Sequence, residues 1–357
     1  IIKIRHTLWQ LNPCWSEIVM NEMMKAVQLH AFGGPENLKY EDTSRPTIGC
    51  DEVLVRVHAA SLNPPDWYLR EGFRALPPEW WPDPRFPLIL GTDVSGVIAA
   101  VGENVSAFSI GDEVYSMVRF PDEVMVGSGA YADYVSVPAS ELALKPLGIE
   151  HIHAAGAPMS LLTAWQFLVE VGHDAPNPFQ PFLHKPVPLK GRTVLVNGAA
   201  GGVGHLAVQI AKWKGARVSA VASSRNEVLL RALGADEFID YTKIAAESAV
   251  KNVDLVIDAV GGTHAERFLG CIRQGGALFL VNPLGFSGQI EAAQKRITVS
   301  TTQVRSSGAQ LSEAGRLLEK GIIKVVIDSI YPLAMASVAH KRASSGSLQG
   351  KIVLTNF

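Results

Sequence analysis

The stretch that most constrains this chain is TVLVNGAAGGVGHLAVQIAKWKGARVSAVASSRN, residues 193–226. A β-branched run stops at Asn197, and Gly198, Gly201, Gly202 and Gly204 follow at once. Apolar residues then recur at helical spacing until a second β-branched run begins at Arg217. Strand, glycine turn, helix and strand make a parallel crossover unit. Its turn aims backbone N–H groups at the end of the sheet, where unpaired donors and the helix dipole together favour an anion. A Cβ at Gly201 or Gly202 would hold a pyrophosphate away. Gly198, Ala200, Gly201, Gly202, Val203 and Gly204 are therefore the expected phosphate loop; the alternative is a tight turn with no ligand.

The second strand of the unit ends in AVASSRN, with no acidic residue. A free ribose 2′-hydroxyl is usually held at that point by Asp or Glu, whereas a 2′-phosphate needs Arg and hydroxyl donors. Ser223, Ser224 and Arg225 thus favour NADP(H) over NAD(H), unless Arg225 is simply a solvated surface charge. Tyr241, after the next apolar run EFID, is expected beside the adenine ribose.

The rest of the chain falls into two kinds of pattern. From Met24 to about Gly148, short β-branched or alternating runs are broken by Gly, Pro and Asp, as in a small β domain. FRALPPEWWPDPRFPLILG interrupts them, and its Trp80 and Trp81 are expected to pack under a loop rather than line a pocket mouth. HIHAAGAPMSLLTAWQFLVEVG has helical spacing, HDAPNPFQPFLHKPVPLKG reads as a surface connection, and strand and helix then alternate through six strands. No hairpin signal interrupts that alternation, which implies a doubly wound parallel sheet covered on both faces. In it THAERFLGCIRQG is expected to be a helix and GALFLVN a strand. KVVIDSIYPL and GKIVLTNF return to strand character and are expected to rejoin the first domain. The expected division is 1–23 a disordered tail, 24–150 and 324–357 a β domain, and 151–323 the nucleotide domain. Ile1–Met23 lacks a secretory pattern; an over-extended reading frame suits it better than a transit peptide.

Composition excludes some partners. A net charge of −2, without runs of like charge, gives no reason to expect nucleic acid. No apolar run approaches the roughly 20 residues of a membrane span. Cys14, Cys50 and Cys271 are far apart and form no Cys-x-x-Cys, so neither a disulfide framework nor a thiolate metal cluster is suggested. A cytoplasmic location is the expectation.

AAGGVGHLAVQIAK, together with SLNPPDWYLREG, GTDVSGVIAAVG, GDEVY, YADYVSVP, LLTAWQFL and the closing GKIVL, resembles the zinc-independent quinone oxidoreductase branch of the medium-chain dehydrogenase/reductase superfamily. The resemblance runs from about Met24 to Phe357 and implies a GroES-like β domain, a Rossmann domain and a cleft between them. Zinc-dependent members carry Cys in the segment matching SLNPPDW and Gly-His-Glu at GTD. This chain has Asn63 and Asp66 in the first and Gly91-Thr92-Asp93 in the second. Without a Lewis acid for an alkoxide, the chemistry implied is hydride transfer to a quinone or an α,β-unsaturated carbonyl. By the same match Asn63 and Asp66 lie beside the nicotinamide, unless they merely cap a turn. Tyr68 and Tyr131 offer phenols to the substrate, Thr163 faces the nicotinamide amide or ribose, and Val260 touches the far ribose. Alternatives are a zinc-free alcohol or aldehyde reductase, disfavoured enoyl-thioester reduction, and a non-catalytic NADPH-binding protein of structural or regulatory role. A homodimer is expected, paired through GALFLVN as an edge strand.

Overall fold

The computed structural model describes residues 22–74, 78, 81, 84–119, 128–172 and 184–356. The chain enters through β1 (Met23–Leu29), β2 (Leu38–Ser44) and β3 (Glu52–Ser61), and then α1 (Pro64–Arg70). Next come β4 (Leu88–Ile89), β5 (Asp93–Val101), β6 (Glu113–Met117), β7 (Tyr134–Pro138) and β8 (Leu142–Leu144). Two helices follow, α2 (His151–Ala155) and α3 (Pro158–Leu168). The expected single helix breaks between them because Pro158, lacking an N–H, starts a helix rather than continuing one. All of α3 is buried, its polar residues Ser160, Thr163 and Gln166 included.

The alternating segment supplies β9 (Thr193–Asn197), α4 (Gly202–Trp213), β10 (Arg217–Ala222), α5 (Glu227–Ala232), β11 (Glu237–Asp240), α6 (Ala246–Ala249) and β12 (Val253–Asp258). β13 (Ile272–Leu280), α7 (Gln289–Gln294) and β14 (Thr298–Ser300) complete it. The strands form one parallel sheet in the order β11-β10-β9-β12-β13-β14. Side chains alternate across it as the pleat requires. Val194, Val196, Ala220 and Ile257 pack toward α3 and α4, while Leu195, Val221, Val256 and Leu278 pack toward Phe268 and Ala292 on the opposite face. Both faces are covered.

Two expectations about this sheet fail. THAERFLGCIRQG forms only a 3-10 turn at Ala265–Gly270, because Ile272 already pairs with Val253 as the start of β13. GALFLVN, whose first five residues end β13, is not an edge strand: β14 covers it through Ala277–Thr298 and Phe279–Ser300. Among the described residues β14 forms that edge.

After α8 (Gly308–Glu319) the chain runs through β15 (Ile327–Pro332), α9 (Ala336–Ser344) and β16 (Lys351–Thr355). β16 lies antiparallel to β3, Val353 facing Ser61, so the last strand completes the sheet β15-β16-β3-β5-β6-β8. That return carries the end of the chain past the glycine turn: Gly350 N–H donates to the Ala200 carbonyl at 2.8 Å.

Cys50 is disulfide-bonded, which the cysteine spacing did not suggest, and Cys271 is a buried free thiol. Trp81 is exposed with the Arg74 guanidinium over its ring, not packed beneath a loop. Trp80 and most of both proline-rich segments lie outside the described residues. Among the described residues no helix is long and apolar enough to cross a membrane.

Candidate functional site

The parallel sheet reverses its winding between β9 and β12, and the carboxyl ends of such strands form a crevice there. In register, Asn197 faces Val221 on one side and Asp258 on the other, so the turn after β9 opens at that crevice. Gly198 has φ +71°, a conformation that favours glycine. A Cβ on Gly204 would lie 2.1 Å from the Gly198 carbonyl oxygen, so the first turn of α4 closes on the strand end only without one. Gly201 caps α4 in an extended conformation, and its Cβ would meet only the Gly198 oxygen, at 3.3 Å.

Gly202 differs from the expectation. Its Cβ would meet Ser160 Oγ at 3.0 Å and Lys351 Cδ at 3.2 Å, so protein atoms are what it approaches closely. Ala200 is buried, and Val203 packs on the core beneath α4. His205 braces the loop. Its Nε2 accepts from Val326 N–H at 3.1 Å, which leaves Nδ1–H to donate to the Gly201 carbonyl at 2.9 Å. Burial pushes its pKa down to about 4, and the ring is neutral.

At the end of β10, Ser223 Oγ accepts from Asn226 Nδ2 at 3.1 Å as the chain turns through Ser224–Asn226. Arg225, on the surface, donates to the Ser347 carbonyl, and Gln349 Nε2 donates to Asn226 Oδ1 at 3.1 Å. Tyr241 is exposed one strand further on, its N–H donating to the Ala222 carbonyl at 3.3 Å. Val260 is exposed on the other side, where a Cβ on Gly198 would come within 2.9 Å of its Cγ2. The carboxylate nearby, Asp258, is turned inward: Oδ1 accepts from Asn197 Nδ2 at 2.8 Å and from the Val260 and Gly261 N–H groups at 3.0 Å. The loop, Ser223–Arg225, Tyr241 and Val260 therefore share one edge of one sheet.

Of the four expected catalytic residues, Asn63, Asp66 and Tyr131 are brought together elsewhere, in a buried polar cluster at the start of α1, and Tyr68 is not part of it. Asn63, 1% exposed, donates through Nδ2 to Thr92 Oγ1 at 3.0 Å and Asp93 Oδ2 at 2.8 Å, while Oδ1 accepts from the Lys351 ammonium. Asp66 does cap the helix: Oδ2 accepts from Asn63 N–H at 2.7 Å and from the Tyr131 hydroxyl at 3.3 Å, and Oδ1 from Gly91 N–H at 3.2 Å. Asp93 is shared by Ser61 Oγ at 2.9 Å, Met159 N–H at 2.9 Å and, at 3.6 Å, Lys351 Nζ.

Burial dominates the electrostatics of the cluster. It pushes Asp66 up to about 7 against the pull of its donors, with the Asp93 charge adding to the rise. It raises Asp93 and lowers Lys351, each opposed by the other's charge, and it moves Tyr131 well above its usual range. Asn63, Asp66 and Tyr131 are all closed off from solvent, and only Tyr68, 36% exposed on α1, presents a phenol outward. Thr163 is buried, and its hydroxyl donates to the Met159 carbonyl one turn earlier at 2.6 Å.

Sequence reasoning missed Lys351 and gave Asp93 only a secondary place. The available signal was a lysine opening the apolar strand KIVL, a position at which a charge needs a partner.

A scan of protein families matches residues 49–147 to the alcohol dehydrogenase GroES-like domain and residues 233–354 to zinc-binding dehydrogenase. The mouse mitochondrial NAD(P)H oxidoreductase RTN4IP1 is 32% identical over 93% of this chain and 89% of its own length. The chloroplastic NADPH-dependent alkenal/one oxidoreductase of Arabidopsis thaliana is 33% identical over 93% of this chain and 79% of its own. Among solved structures, the quinone oxidoreductase from Coxiella burnetii superposes with a TM-score of 0.80 at 32% identity, covering 94% of this chain and all of that one. The organelles in those names lend no support to a cytoplasmic location. The zinc in the family description does not fit the cluster: Asn63 Oδ1 and Asp93 Oδ2 already converge on an ammonium. A catalytic zinc takes about three protein ligands, and among the described residues no three His, Cys, Asp or Glu side chains are grouped to hold a metal.

Proposed function

Because the chain belongs to the medium-chain dehydrogenase/reductase superfamily, we propose that it is a zinc-independent reductase that uses NADPH to reduce quinones or α,β-unsaturated carbonyls. The observation that carries the cofactor choice is the end of β10, where Ser223, Ser224 and Arg225 stand and the turn Ser224–Asn226 holds no acidic residue. A 2′-phosphate would replace the Ser347 carbonyl as the partner of Arg225. The N–H groups from Gly198 to Gly204 and the dipole of α4 would hold the pyrophosphate, with Tyr241 and Val260 flanking the two riboses and Thr163 behind the nicotinamide.

Bound there, NADPH supplies a hydride; the remaining work falls to side chains of this chain. Tyr68, the outward phenol, donates to the substrate oxygen as negative charge grows on it. One well-placed donor of this kind is worth roughly 3 kcal/mol. That is enough for a conjugated oxygen, which spreads its charge, and it suits the enone and quinone acceptors in the names of the relatives. Asp66 and Tyr131 hold a proton between them behind that position, and Asn63 fixes the start of α1. The segments 24–150 with 324–357 and 151–323 act as substrate and cofactor domains. A homodimer belongs to the same reading, with β14 rather than β13 as the pairing edge.

Arg225→Ala tests the cofactor. Loss of a charge-assisted contact worth about 2 kcal/mol weakens NADPH about 30-fold and leaves NADH within about twofold, read by fluorescence titration. Equal losses for both would remove the basis for NADPH. Following NADPH oxidation with a quinone, an enone and a simple ketone tests the reaction; tight binding with no oxidation by any of them would point to a nucleotide-binding protein without turnover.

A further inference from the structure

Lys351 reaches both halves of the site with one side chain. At its base, Gly350 N–H is bonded to the Ala200 carbonyl of the glycine loop, and its methylenes lie where a Cβ on Gly202 would come within 3.2 Å. At its tip, the ammonium donates to Asn63 Oδ1 and stands 3.6 Å from Asp93 Oδ2. Asn63 caps α1, and Tyr68 lies on that helix. A buried ion pair is a poor way to gain stability, since apolar residues of similar size often do as well or better. The lysine here also bridges segments 288 residues apart.

We propose that Lys351 is a positioning residue: it registers the start of α1, and through it the Tyr68 phenol, against the glycine loop that holds the cofactor. This rests on the reductase reading above. The chain thereby uses an ammonium as the resident cation of a carboxylate and amide cluster, and ties that cation mechanically to the first turn of α4. Cofactor binding and substrate geometry are then set by different ends of the same side chain.

Lys351→Met keeps the methylenes and drops the charge; adding Asp93→Asn removes the carboxylate that the single change would strand. The single variant loses about 10 °C in Tm, because Asp93 is stranded, and the pair recovers most of it. In the pair NADPH affinity stays within about threefold of wild type, while kcat with an enone falls about 30-fold as the phenol loses its register. Recovery of both Tm and kcat in the pair would overturn the proposal, since the lysine would then be structural only. Should the pair melt low, a cycle of Lys351→Met with Tyr68→Phe, assayed below the melting range, decides. Positioning requires Tyr68→Phe to cost at least about tenfold less in kcat once the ammonium is gone, and additive effects would overturn it. A wild-type protein that binds NADPH but reduces nothing would refute the reductase reading and Lys351's role with it. That result differs from an active wild type matched by its pair.

Discussion

The carboxyl edge of the six-stranded sheet and the polar cluster under α1 are built on opposite plans. At the sheet edge the chemistry belongs to the backbone. The glycine loop sits in one short stretch, and Gly204 answers to a local distance, the 2.1 Å that a Cβ there would leave to the Gly198 oxygen. In the cluster the chemistry belongs to side chains drawn from remote segments. Asn63 meets Asp93 across 30 residues and Lys351 across 288. A backbone site tolerates almost any neighbour but no Cβ, whereas a buried side-chain network tolerates a change of shape but no unmatched charge. The two regions should therefore fail in different ways.

The largest effect is expected at the backbone site. Gly204→Ala forces a Cβ against a main-chain oxygen that cannot rotate away, so α4 must shift off the end of β9. Overpacking of this kind costs about 3 kcal/mol, and NADPH binding is lost along with the stability. Denaturant melts and fluorescence titration read the two losses. A stable Gly204→Ala protein that still binds NADPH would show that the loop adapts, and the contrast with the cluster would collapse.

The same contrast explains what could be read in the sequence. The doubly wound sheet was legible because buried parallel strands and amphipathic helices repeat, and the phosphate loop because four glycines after a strand have few other uses. The turn at Ala265–Gly270 was not, since THAERFLG has helical spacing and only the pairing of Ile272 with Val253 cuts the helix short. The position of β13 within the sheet was also illegible: the alternation implies a sixth strand, now β14, but nothing local says on which side it pairs. Asn63, Asp66 and Tyr131 were picked by resemblance, yet their mutual bonding and their burial needed the fold. Lys351 was passed over because a lone lysine near the end of a chain is usually solvated. Its partner, Asp93, stood out for departing from a zinc motif and as a group that would have to replace the metal in an alcohol or aldehyde reductase, not as the partner of a buried lysine.

A medium effect is expected from pH. Burial holds the Asp66 pKa near 7 in the folded protein, against about 3.9 in an unfolded chain. Between those values the folded state keeps a proton that the unfolded state has lost, so this group's contribution is complete below pH 4 and disappears as pH rises through 7. From pH 5 to pH 7 the wild type should lose about 2 kcal/mol on this account. Asp66→Asn, which keeps an oxygen for the Asn63 N–H, should lack that slope. Denaturant melts of both proteins across the range compare them directly. Parallel curves would mean that Asp66 ionises freely, and that the cluster is wetter than its burial indicates.

The smallest effects separate two neighbouring glycines on which the two plans meet. Around Gly201 a new Cβ touches only one carbonyl oxygen, at 3.3 Å, and otherwise faces open space. Gly201→Ala should therefore leave Tm within about 2 °C and weaken NADPH about tenfold, because a pyrophosphate must approach that backbone closely. Around Gly202 the new Cβ meets Ser160 Oγ and Lys351 Cδ, the movable parts of two side chains. Alanine in the first turn gains helix propensity of up to about 1 kcal/mol over glycine, which offsets the crowding, so stability should hardly move. What does move is Lys351. Its displaced ammonium should lower kcat a few-fold while the dissociation constant for NADPH stays within about threefold. If Gly202→Ala instead behaves like Gly201→Ala, losing affinity and keeping kcat, then the cofactor rather than the lysine is what that glycine makes room for.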